Sequence, residues 1–167
     1  MPYDYFFSTA FSIWGWASWR RVIDQWDEHY SFLDDTFNLQ QLEEYIKERK
    51  YQKEFIEFCR HHRESGKAYY ESIFHAAMFF NSGLSIVPTK NMINNLGATA
   101  GSTHFGGSNN LLPKGYRRIF TMKRYEQDFP LKHPRYIIEN VGYKNRMFRI
   151  MAWGHPWIKI GRSFEEL

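Results

Sequence analysis

The stretch Ser8–Arg21, STAFSIWGWASWRR, concentrates the residue types that bind rings and anions. Trp14, Trp16 and Trp19 surround Gly15, so a freely turning backbone is walled by large flat side chains that also carry N–H donors. Such a wall lines a pocket for a ring-shaped ligand, or it is simply core. Arg20 and Arg21 follow at once, and their planar donor forks suit a phosphate as well as they suit surface pairing with Asp24. Other candidate chemistry is weaker. His61 and His62 are adjacent, so on a helix they point about 100° apart and chelate one metal poorly. Placed at a helix end, they answer the negative end of its dipole instead. The single Cys59 permits no internal disulfide and falls at an apolar helical position, where a buried, inert thiol is expected.

Three blocks in order carry a resemblance: WGWASWRR, then NSGLSIVPTKNMINNLGATAGSTHF (Asn81 to Phe105), then FPLKHP (Phe129 to Pro134). Together they resemble the acceptor-side half of bacterial nucleotide-diphospho-sugar transferases of the GT-A fold, over roughly residues 5–138. The resemblance implies a mixed, helix-rich α/β fold with a few short strands. It implies transfer of a sugar from a nucleotide-diphospho-sugar to a glycan or lipid-linked acceptor in cell-surface polysaccharide synthesis. In that family an acidic residue opens the helix facing the acceptor, and Glu71 in YYESIF stands at the matching position. Its carboxylate would take the proton of the attacking hydroxyl. The Trp14, Gly15, Trp16, Trp19 loop, with Arg20, Arg21 and Asn95, would line the sugar site, and His104 in the T-H string would complete a divalent metal site, Mn²⁺ more readily than Mg²⁺. The sequence departs from the family in one respect: it holds no Asp-x-Asp, and Asp34-Asp35 is no substitute. The donor half is therefore expected before Met1, and the metal with it. Without that half, the alternative is a non-catalytic remnant or accessory domain binding carbohydrate or a partner chain.

Composition sets the surroundings. A chain of 167 residues with 19% aromatics can bury its own core and is not disordered. The formal charge of +4 is mild, and Lys and Arg are interspersed with Asp and Glu, so no nucleic-acid stripe is present. No basic leader and no apolar run of about 18 residues is seen, so a cytoplasmic protein is expected, with contact at the inner membrane face left open. A half-domain with an open sheet edge also leaves homodimer formation open.

The elements that must position these residues follow from periodicity. An extended segment is expected in residues 1–11, then a helix capped by Ser18 and running to about Tyr30. One long helix, or two joined near Lys50, should cover residues 38–63, with Leu39, Leu42, Ile46, Phe55, Ile56 and Cys59 on one side. A helix from Ala68 to Asn81 carries Glu71 in its first turn, where the dipole keeps a carboxylate ionised. Gly83 should cap it, before a short strand Leu84–Val87 stopped by Pro88 and a further edge at residues 91–96. The Gly-, Ser- and Asn-rich residues 97–110 read as a loop. On the resemblance, residues 1–112 are expected to form the acceptor-side part, and residues 113–167 a basic, aromatic extension packed on it. Within that extension lie a rigid Pro-flanked string at 129–134, a helix over 137–151, and a tail bearing Trp153 and Trp157 that is expected to dock on the domain, contact with lipid head groups being the alternative.

Overall fold

Two short apolar strands meet although about 80 residues separate them. In a computed structural model, which describes residues 1–94 and 122–151, β1 (Tyr5–Ser8) pairs antiparallel with β2 (Ser85–Pro88), Phe7 opposite Ile86. The other side of β1 is taken by residues 132–140. Asp4 N donates to Lys132 O at 3.1 Å and Asn140 N to Phe7 O at 2.8 Å, with an isolated bridge between Phe7 and Glu139. β1 is therefore the middle of the arrangement, and the fold is mixed α/β, helix-rich, with one two-stranded sheet among the described residues.

Among the described residues five α-helices accompany it: α1 (Arg20–Ile23), α2 (Thr36–Tyr45), α3 (Arg49–Ser65), α4 (Tyr70–Phe80) and α5 (Val141–Met151). Asp35 caps α2, its side chain accepting from Phe37 N and Asn38 N. α2 and α3 are separate, broken at residues 46–48, where Ile46 turns into the core. α3 buries the stripe Tyr51, Phe55, Ile56, Cys59 and His62, and closes on Gly66 at φ 66°. α4 is the hub: every residue from Ser72 to Phe79 is buried, as expected of a helix packed on all sides. α5 adds Phe148, whose ring stacks on Tyr51 at 4.3 Å and meets Phe79 edge-on at 6.0 Å.

Several expected boundaries are corrected. The helix expected to run to Tyr30 is a single turn ending at Ile23, with Trp19 rather than Ser18 at its N-cap position and no side-chain cap. Asp27 stops it by bonding instead to His29 N, Ser31 N and Ser31 Oγ, and Tyr30 takes a left-handed φ of 51°. The helix ahead of β2 does not end on Gly83. Ser82 holds the left-handed position at φ 50°, and Gly83 N reaches back to Met78 O at 2.8 Å. Gly83 answers a different need, since a β-carbon there would sit 2.7 Å from Met78 Sδ. Residues 91–94 form no strand; Asn91 instead bonds Asn94 and Lys123 O through its side chain. The last helix begins at Val141, because residues 137–140 are drawn alongside β1. No helix among the described residues is long and apolar enough to cross a membrane.

Candidate functional site

The Trp-rich loop is folded against α4. Gly15 has φ 63°, a backbone that L side chains rarely adopt, and a β-carbon there would meet Ile93 Cγ2 at 2.9 Å. Glycine is thus required both by the turn and by the close approach of Ile93. Beyond it the indoles part company. Trp16 packs on Phe74 of α4 at 5.0 Å, in a cluster that holds Phe11 and Met78 and draws in Trp26. Trp14 is half-buried, and its backbone N–H donates to Ser12 Oγ at 3.3 Å. Trp19 faces outward, 56% exposed, and the Arg21 guanidinium lies over its ring at 4.8 Å. Arg20 is exposed beside it.

Glu71 stands in the first turn of α4 and is half-buried. Its neighbours on the helix fix it from two directions. On one side Tyr70 packs against Trp26 at 5.6 Å, and Phe74, a turn further on, is held by Trp16, Trp26 and Phe11. On the other, Ser72 Oγ bonds Tyr30 Oη at 2.7 Å and His62 Nδ1 at 2.7 Å. Sequence reasoning missed this network. The signal was present, since His62 continues the buried α3 stripe of Phe55 and Cys59 at spacings of four and three. The His62 ring is stacked on Tyr69 at 3.7 Å and lies 3.8 Å from Phe58. Burial lowers its pKa, the adjacent His61 acts in the same sense, and the Glu71 carboxylate opposes them. Tyr30 is raised, first by burial, with Ser72 opposing. The glutamate charge is therefore felt inside the network beneath it.

A second polar cluster joins the ends of the described chain. Glu139 Oε1 accepts from Thr9 N at 2.9 Å and from the Thr9 hydroxyl, and Glu139 Oε2 pairs with Lys144 Nζ at 2.5 Å. Lys144 also lies 4.7 Å from the centre of the Tyr45 ring. Burial acts against ionisation of Glu139, yet Lys144 and Thr9 together hold its pKa below the ordinary value. Both oxygens are occupied, so this carboxylate serves as a tie between segments. Cys59 is buried as expected, and burial pushes its thiol up to about 12.

Two clefts are of ligand size. One, of about 320 Å³, runs between the N-terminal segment and residues 134–140; the other, of about 470 Å³, lies between the end of α2 and the start of α3, beside Lys47, Arg49, Lys50 and Lys53. None of Trp14, Gly15, Trp16, Trp19, Arg20, Arg21 and Glu71 lines either one. Asn95 and His104 lie outside the described residues, as do the tail tryptophans Trp153 and Trp157. Among the described residues no cluster of three or more His, Cys, Asp or Glu side chains is placed to hold a metal ion. No family model, characterised protein or solved structure matches the chain.

Proposed function

We propose that this chain is the acceptor-side part of a GT-A-type nucleotide-diphospho-sugar transferase, acting on a glycan or lipid-linked acceptor in surface polysaccharide synthesis. One observation carries the reading. Glu71 opens a helix whose next turn is gripped by Phe11 and Trp16 of the Trp loop through Phe74, so the carboxylate and the Trp16 indole are built on one unit. In the reaction, the acceptor oxygen attacks the anomeric carbon, Glu71 takes the hydroxyl proton, and the nucleoside diphosphate leaves with the bonding pair. The exposed Trp19 and its Arg21 partner would meet the sugar or its phosphate, and the resemblance assigns Asn95 to the same role. His104 would join a divalent ion, Mn²⁺ or Mg²⁺, together with acidic ligands from a donor half.

The absence of Asp-x-Asp from the sequence favours a second reading, a non-catalytic domain that binds carbohydrate or a partner chain. Calorimetric titration separates the two. UDP- and GDP-sugars are titrated with Mn²⁺ into the wild type, Glu71→Gln and His104→Ala, and transfer to glycan acceptors is assayed in parallel. With the donor half supplied, the transferase reading expects Mn²⁺-dependent heat that is lost in His104→Ala and kept in Glu71→Gln. Transfer should fall by about 10²–10⁴-fold in Glu71→Gln. Absence of heat with every nucleotide-sugar removes donor binding from this chain, and glycan binding that ignores nucleotide and metal supports the second reading.

A further inference from the structure

The charge of this chain is unevenly placed. Residues 122–151 hold seven Lys and Arg against three Asp and Glu, a formal +4 that equals the net charge of the whole protein. Glu139 and Lys144 cancel each other, and Asp128 lies 3.8 Å from Lys90, outside the segment. In the middle of the same segment three consecutive apolar residues stand in solvent: Tyr136 is 67%, Ile137 77% and Ile138 75% exposed. Arg135 precedes them, its guanidinium 5.3 Å from the centre of the Tyr136 ring. Tyr136, Ile138 and Arg135 border the 320 Å³ groove, where exposed Met1 and Tyr3 extend the apolar rim.

We infer that Arg135–Ile138 is a membrane-docking tip that enters the interfacial region of an anionic bilayer. A rigid protein partner laid on an extended segment covers alternate residues, because successive side chains point to opposite sides. Here the chain bends at Arg135 and Tyr136 and all three in a row are bare, so the segment projects, and a medium that closes around a projection on every side suits it better than a flat surface. Lipid is such a medium. Isoleucine supplies the apolar insertion, tyrosine prefers the headgroup level, and the adjoining Arg135, in a segment of net positive charge, meets the negative surface, which gives the two signals that stable interfacial binding needs. The segment is held stiffly for this purpose, since Lys132 N bonds Asp4 Oδ2 at 2.7 Å and Asn140 N bonds Phe7 O.

Co-sedimentation of the full chain with vesicles tests it, using phosphatidylcholine alone and phosphatidylcholine with about 30% phosphatidylglycerol. The chain should pellet with the anionic vesicles, and binding should weaken several-fold as salt rises from about 0.1 M to about 0.5 M. Ile137→Ser combined with Ile138→Ser should reduce partitioning about tenfold or more at unchanged thermal stability, because both side chains already lie in solvent. Arg135→Gln should act only on the anionic vesicles. Failure to bind either vesicle overturns the inference, as does binding that the double variant leaves intact. A monomer–dimer equilibrium abolished by the double variant, without vesicle binding, would reassign the tip to a second copy of the chain.

Discussion

His75 sits in a box of aromatic rings, 4.5 Å from Phe11, 6.1 Å from Phe55 and stacked on Phe79 at 5.9 Å, with Nε2 buried and without a hydrogen bond among the described residues. A charge has nothing to answer it there, and burial pushes the imidazole down to about 4. The folded pKa thus lies below the ordinary histidine value near 6.5, so the unfolded chain binds the extra proton first. Stability from this group is fully present above about pH 6.5 and is lost as pH falls toward 4, by up to about 3 kcal/mol. Burial lowers His62 too, which adds in the same direction. Urea unfolding at pH 7.5 and 4.5 should therefore show a marked loss at the lower pH, and His75→Leu should remove a large part of it. An unchanged pH dependence in His75→Leu would mean that the ring is already solvated in the folded chain.

At the scale of elements, the two turns flanking α4 carry different constraints. Gly66, closing α3, has φ 66° with open space around it, whereas Ser82 occupies the same left-handed region at φ 50° with a side chain that this conformation disfavours. Ser82→Gly should raise stability by about 0.5–1 kcal/mol, read as a higher urea midpoint with an unchanged slope. Gly83→Ala should lower it, because Met78 Sδ already fills the space of a β-carbon. How much of this was legible in the sequence follows the same division. The apolar stripe of α3, the Glu71 turn of α4 and the strand before Pro88 are written in local spacing, and each is found where spacing puts it, within one or two residues. The early end of α1 was not legible, because Val22, Ile23 and Trp26 keep helical spacing while Asp27 gives the backbone a competing partner. The left-handed Ser82 was hidden by the more obvious Gly83. Trp16 and Trp19 look alike in sequence, and only packing on Phe74 separates the half-buried one from the exposed one.

Over the whole molecule, the fold depends on contacts between chain segments far apart, which no local pattern announces. Thr9 and Glu139 are 130 positions apart, and Tyr51 and Phe148 nearly 100, yet each pair joins the middle of the fold to its last described helix. α5 is held at both ends by this arrangement: at its start by Glu139 on Thr9 and by Asn140 on Phe7, and further along by Phe148 between Tyr51 and Phe79. Truncating Phe148 leaves a cavity under two rings, and Phe148→Ala should cost about 3–5 kcal/mol. Glu139→Gln keeps the shape but leaves Lys144, whose side chain is only 12% exposed, without its counter-ion, at a cost of about 1–3 kcal/mol. The two losses act on one docked unit, so the double variant should lose less than their sum once the first has released the helix. Hydrogen exchange reads the release directly: the Thr9 and Asn140 amides, protected by Glu139 and Phe7, should exchange faster in Phe148→Ala although neither touches the altered ring. Faster exchange confined to the neighbourhood of residue 148, with Thr9 and Asn140 unaffected, would show that the strand-side tie holds without the helix and that α5 is an appendage rather than a keystone.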